Sequence, residues 1–328
     1  MRVVEDVMVM DSDRPLRSVG RDEHLLLAPP HPPTVPMKPP RPRPPLAVVH
    51  FPQEYRDQPF APPRGLYEND QARVEWQTMN NRQPFYHRNC DVDEISYQIA
   101  GERTLMTELG VIEHRPGEFS RIPRGVAHDN YGRGESHLLF YLPAPAEELG
   151  GHTGESRAVT PPFPGWAAAP INEAVTQCMG AHGHDIAVFP VDERELLDRV
   201  HEETDRIPVL CGPDSGHAWL YATEKFRLGT EHLAAHQPRR YRRMLDADEI
   251  QYQISGRRVL LTQRGIVELG PGDAVRIPLG VAHAGHGEQD GVFIRLLSHR
   301  ELPQVADTAR TAEPYSPQLL AEIVGGGR

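Results

Sequence analysis

Two imidazoles and one carboxylate form a donor set that holds a divalent transition metal and leaves coordination positions open. One stretch of this 328-residue chain supplies them together: His87 and Glu94, with Asn89 between, and His128 two hairpins later. Two His and one carboxylate suit non-heme Fe(II), with room for a substrate and O2 side by side. The same donors also suit Mn, Ni or Zn, so the ligand types alone leave the metal open. On the inward face of a small barrel, such polar residues must either find partners or bind something.

The elements that position them repeat. Residues 86–128 (YHRNCDVDEISYQIAGERTLMTELGVIEHRPGEFSRIPRGVAH) align without a gap to 241–283 (YRRMLDADEIQYQISGRRVLLTQRGIVELGPGDAVRIPLGVAH), with 24 of 43 positions identical. An offset of 155 residues is far too long for a solenoid period, so it predicts two similar domains. In each copy apolar and polar residues alternate: Ile95, Tyr97 and Ile99 fall on one face, Glu94, Ser96 and Gln98 on the other. Gly101, Pro116-Gly117 and Pro123-Arg124-Gly125 punctuate the strands. The expected class is all-β, a sandwich or barrel in each copy. The expected helix is 191–205, with Leu196, Leu197 and Val200 on its apolar side. The expected organisation is a proline-rich arm over 1–50, a first barrel over 51–145 and a linker with the helix over 146–205. A second barrel over 206–300 and a tail over 301–328 complete it. Ten prolines between Pro29 and Pro45 favour an extended arm, expected to lie across a second copy of the chain.

The second copy is an internal control. Glu249 and His283 remain, but Arg242 replaces His87 and Met244 replaces Asn89. A guanidinium has no lone pair to give a metal. Arg242 is expected to pair with Glu249 in place of a cation, which leaves one metal per chain. His232 and His236 are the remaining candidate donors there.

Net charge is -11, which argues against a nucleic-acid binder, because phosphate contacts need clustered cations. No apolar run approaches the length of a membrane span, and the first residues lack a signal-peptide pattern. The expected compartment is the cytoplasm. Cys90, Cys178 and Cys211 are too scattered for a disulfide framework or a cysteine zinc site.

The spacings His87-x-Asn89-x4-Glu94-x6-Gly101 and Gly117-x5-Pro123-x-Gly125-x2-His128 resemble the two motifs of the cupin family. Gly272-x5-Pro278-x-Gly280-x2-His283 matches the second motif again. The resemblance implies a bicupin: two jelly-roll (double-stranded β-helix) barrels in tandem with a short connecting helix. Tyr86-His87-Arg88-Asn89-Cys90 is similar to the iron-binding strand of homogentisate dioxygenase. That implies His87, Glu94 and His128 as iron ligands. One additional residue precedes the carboxylate here, so Asp93 stands beside Glu94 as a candidate. Asn89 occupies the place of the second histidine in the usual His-x-His, as a weak ligand, a hydrogen-bond partner or a turn former.

The function this implies is a non-heme Fe(II) dioxygenase that acts on a small hydroxylated aromatic compound with O2, as a homodimer. Asn130, Tyr131 and His137, just past the second motif, are the candidate catalytic residues; Arg88, Arg121 and Tyr97 are further candidate contacts. The alternatives are a metal-dependent isomerase, lyase or decarboxylase, and a non-enzymatic small-molecule binder.

Overall fold

The computed structural model describes residues 1–30, 43–53, 55, 64–83, 85–166, 170–179 and 183–325. Two strand-rich units stand in tandem. In the first, the long strands Val92–Thr107 and His128–Pro143 pair antiparallel and bend through both faces of one barrel. The bend in the former falls at Gly101, whose φ of 68° and approach to the Gly134 carbonyl leave no room for a Cβ. In the second unit each long strand is broken in two: Asp248–Ser255 with Arg258–Thr262, and His283–His286 with Gly291–Ser298. The second barrel is closed by a six-stranded and an eight-stranded sheet. No helix among the described residues is long and apolar enough to cross a membrane.

The barrels meet face to face over a shared core. Ile95, Tyr97, Phe119, Leu138 and Phe140 from one pack with Tyr221, Phe226, Ile250, Tyr252 and Ile294 from the other. Tyr97 and Tyr252 therefore sit between the barrels, away from either interior.

The segments expected to be arm, linker and tail are built into the barrels, and they cross over. Residues 2–27, placed in an arm by the sequence, form the hairpin Arg2–Met8/Arg17–Asp22 and the helix Glu23–Leu27. The hairpin pairs parallel to Arg240–Met244 of the second barrel, with Asp6 opposite Arg242. Ala47–His50 then joins the same barrel beside Asp273–Ile277. The supposed linker mirrors this on the first barrel. Ile171–Thr176 pairs parallel to Phe85–Asn89, with Ala174 opposite His87, and Pro208–Cys211, expected in the second barrel, pairs instead with Glu118–Ile122 of the first. Each barrel thus borrows a hairpin, a helix and a strand from the segment that precedes the other. The tail also packs on the second barrel: Arg310–Thr311 pairs with Ala47–His50, and Leu320 of the helix Pro317–Gly325 is buried beside Leu26 and Leu27. Of the proline-rich segment, residues 31–42 lie outside the described residues.

The connecting helix is shorter than its sequence suggested: Glu193–Asp198, continued by a 3-10 turn at Arg199–His201. Val191 belongs to the preceding strand, and Asp192 caps the helix by accepting from the backbone of Arg194 and Glu195. Beyond Val200 the sequence offers only polar residues to Arg206, so no apolar face remains to hold a further turn. Leu196, Leu197 and Val200 are buried as expected.

One carboxylate locks each borrowed helix. Glu193 accepts from the Tyr86 hydroxyl at 2.9 Å and from Arg82 at 2.5 Å. Glu23 accepts from Tyr241 at 2.9 Å and from Arg239 at 2.7 Å. Removing one partner of a buried ion pair leaves the other unpaired in a poor solvent. Glu193→Ala is expected to destabilise the chain by about 3 kcal/mol, read from the urea midpoint. An unchanged midpoint would mean the helix does not hold the first barrel.

Candidate metal centre

The strand Phe85–Asn89 brings His87 directly opposite His128 on the strand His128–Pro143, and Val92–Thr107 brings Glu94 between them. Glu94 Oε2 lies 3.3 Å from His128 Nε2 and 3.5 Å from His87 Nε2. The two imidazole centroids are 3.9 Å apart. Among the described residues this is the one cluster of three or more His, Cys, Asp or Glu with metal-holding geometry, its ligand atoms all within 4.8 Å of one another.

The surroundings hold these atoms in place. His128 Nδ1 lies 3.0 Å from the Val126 carbonyl. A carbonyl only accepts, so Nδ1 carries the proton and Nε2 turns its lone pair towards Glu94. The Gln83 amide lies 2.8 Å from His87 Nδ1. Gln83 Nε2 is the atom that faces the ring, and it also donates to the Phe85 carbonyl at 3.3 Å, so His87 Nδ1 accepts and the ring proton sits on Nε2, facing Glu94, where a metal would displace it. Asn89 donates to Glu94 Oε2 at 3.0 Å and accepts from the Cys178 thiol at 3.2 Å. Of the roles open to it in the sequence, this arrangement gives Asn89 that of carboxylate partner. Asp93 points the other way, accepting from Arg121 and from the backbone of Arg124 and Ala146. The carboxylate beside the imidazoles is therefore Glu94.

Burial raises the pKa of Glu94, but the imidazoles of His128 and His87 outweigh it and hold the carboxyl well below its usual range. Burial and the neighbouring His128 push His87 down, which favours the neutral, metal-ready ring. Two imidazole nitrogens and a carboxylate oxygen thus converge, and among the described residues no arginine or lysine is bonded to that carboxylate. This donor set fits a divalent cation.

The three candidate catalytic residues separate. Asn130 shares the inward face of its strand with His128, and its Oδ1 is buried without a partner. His137 is fully buried on the inward face, Nδ1 2.8 Å from Glu135 and Nε2 without a partner. Tyr131 is not brought to the cluster: its ring lies on the outer face with Phe163, Trp166 and Leu196. Arg88 and Arg121 are likewise outside, paired with Glu173 and Glu108 and with Asp93 and Glu148 respectively. Cys90 is exposed.

In the second barrel Arg242 stands opposite His283, as His87 stands opposite His128. The expected Arg242–Glu249 pair is not what forms. Arg242 makes a two-pronged bond to Glu231 at 2.7 and 2.9 Å, and Glu249 is held by Arg295 at 2.8 Å. Glu231 and Arg295 lie outside the aligned repeat, on Phe226–Leu233 and Gly291–Ser298. Two arginines and two glutamates fill the place a metal would take. His232 and His236 join no candidate metal cluster.

At about 4 Å a guanidinium repels a divalent ion by roughly 8 kcal/mol at an effective dielectric of 20. One metal per chain is therefore expected by elemental analysis, lost in His87→Ala and kept in His283→Ala. Two equivalents in the wild type, or loss on His283→Ala, would contradict the assignment. Burial, with Glu94 nearby, also lifts Glu75 to about 7 despite its bond to Arg73. The native state then holds a proton that the unfolded chain releases at a lower pH, so stability falls as pH rises towards and through 7. From pH 5 to pH 8 the Tm of Glu75→Gln is expected to shift by a few degrees in its favour relative to wild type. A pH-independent difference would contradict the raised carboxyl.

No family model matches the chain, and no curated protein does. Among solved structures, it is similar to a cupin 2 conserved barrel domain protein from Leptotrichia buccalis at 8% identity. The match covers 76% of this chain and 95% of that one, with a TM-score of 0.48. A salicylate 1,2-dioxygenase from Pseudaminobacter salicylatoxidans matches at 12% identity over 72% and 76%, with a TM-score of 0.43. A mutant oxalate decarboxylase from Bacillus subtilis matches at 12% identity over 79% of each chain, with a TM-score of 0.42. By the order of its sheets and its twice-repeated motif strands, the chain has the two-barrel cupin fold.

Proposed function

We propose that the chain is a non-heme Fe(II) dioxygenase that oxygenates a small hydroxylated aromatic compound. The observation that carries this reading is the convergence of His87 Nε2, His128 Nε2 and Glu94 Oε2 inside the first barrel. Two neutral nitrogens and one carboxylate match the facial set that Fe(II) uses while keeping positions open. The bound ion would supply redox chemistry with O2 and a place for a phenolate oxygen.

The chain's own residues have separate tasks in this reading. Val126 fixes the His128 tautomer, Gln83 holds the His87 ring through Nδ1, and Asn89 steadies the carboxylate through one hydrogen bond. Arg73 and the buried hydroxyl of Tyr141 lie on the inward wall close to Glu75 and Glu94. The borrowed hairpin pairs along the His87 strand and covers that edge of it. Asn130 and His137 bring unpartnered polar atoms to the same interior.

The test is oxygen uptake by protein loaded with Fe(II) under anaerobic conditions and offered a panel of dihydroxybenzenes and dihydroxybenzoates. Substrate-dependent uptake is expected, falling by more than ~100-fold in Glu94→Gln, beyond the loss typical of a ligand's hydrogen-bond partner alone. Metal retention with no uptake on any ring compound would favour Lewis-acid chemistry and overturn the dioxygenase reading.

A further inference from the structure

The first barrel buries more polar side chains than its metal-ligating triad can use. Arg103 is fully buried, yet only its Nη2 has a partner, the Ser96 hydroxyl at 2.8 Å; Nε and Nη1 have none. His137 Nε2, His114 Nδ1 and Gln98 Oε1 are also buried without partners. These side chains face one another. Ser96 lies 3.2 Å from Ser120, which lies 2.8 Å from His114 Nε2, while His137 stands opposite Gln98 across the strands. Glu94, two residues before Ser96, shares their face. Leaving so many polar atoms unmet in a protein interior costs stability, unless a ligand meets them.

The second barrel shows the same site closed by its own chain. The counterpart of Arg103 is Arg258, which donates to Gln253 at 2.7 Å and to Gln251 at 2.6 Å. Its guanidinium also stacks on Phe293 at 3.9 Å, and none of its buried nitrogens is unpartnered. In the first barrel Ser96 replaces Gln251 and His114 replaces Leu269. His137 replaces Phe293, since each stands opposite the matching glutamine, Gln98 or Gln253. All three changes remove cover from the arginine or add a polar group beside it.

We propose that Arg103, His137 and His114 form an anion-binding subsite beside the triad, and that it receives a carboxylate carried by the substrate. This rests on the reading of the triad as a metal centre and narrows its substrate to aromatic acids. Glu135 lies close enough to Arg103 to offset part of its charge, and Arg73 is bonded to Glu75. A divalent ion beside Glu94 then leaves net positive charge in the barrel, which a carboxylate on the substrate offsets.

Benzoate and its neutral isostere benzamide test this in titration calorimetry on metal-loaded protein, with no turnover needed. Wild type is expected to bind benzoate at least ~10-fold more tightly than benzamide. Arg103→Met is expected to lose that preference with unchanged metal content. Should Arg103→Met not fold, the double variant Ser96→Gln/His137→Phe, which copies the closed second barrel, is expected to lose it too. Equal affinities in the wild type, no benzoate binding, or a preference that survives in the folded variants would overturn the subsite. A benzoate preference without oxygen uptake on any ring acid would count against the dioxygenase and leave the subsite standing.

Discussion

A carboxylate buried at the heart of each barrel is the constraint from which the rest follows. Glu94 and Glu249 occupy matching positions and are almost wholly inaccessible. An isolated carboxylate in that setting is too costly to remain charged, so each barrel must supply a cation. The second barrel supplies it covalently, through Arg295 on Glu249 with the Arg242–Glu231 pair alongside. Burial, the largest influence on Glu231, raises its carboxyl, but Arg242 and Arg295 overcome that and hold it near 2. The first barrel has Leu139 on the strand position corresponding to Arg295 and His87 in place of Arg242. It offers lone pairs where its twin offers guanidinium groups. That difference gives one barrel a use for a metal and leaves the other as scaffold.

The scaffold's contribution is geometric. The strand that carries His87 is flanked by a hairpin borrowed from the other half of the chain, and the Arg242 strand by the reciprocal one. Each of these two strands is therefore interior to its sheet, with pairing on both edges. With the shared core between the barrels, this exchange makes the two halves one folding unit. A barrel without its partner's hairpin would expose the edge of the strand that bears its central imidazole or guanidinium.

The part of this legible in the sequence was whatever depends on short-range order. Alternation and glycine spacing placed His87, Glu94 and His128 together, and the repeat marked the second barrel as different. The same alternation separates the residues just beyond His128. Counting in twos from His128 reaches Asn130 and puts Tyr131 on the opposite face, where the structure has it. The count then fails for His137, because bulges between Arg133 and His137 shift the strand's parity and return an odd-numbered residue to the interior. The crossed hairpins depend on pairings between residues far apart in the chain. Their only local trace is a faint second similarity, Asp22-Glu23 with Leu26-Leu27 against Asp192-Glu193 with Leu196-Leu197. The partner of Arg242 escaped for the same reason, since Glu231 lies on a strand beyond the aligned copies.

In the function proposed for the chain, the same buried carboxylate takes a metal in one barrel and arginine in the other. A crystal structure of the protein soaked with Co(II), phased on the cobalt edge, tests this most directly. One strong anomalous peak per chain is expected, bounded by His87, Glu94 and His128, with no peak at Glu249. A peak between Glu249 and His283, or an undisturbed His87–Glu94–His128 cluster with no peak, would contradict it.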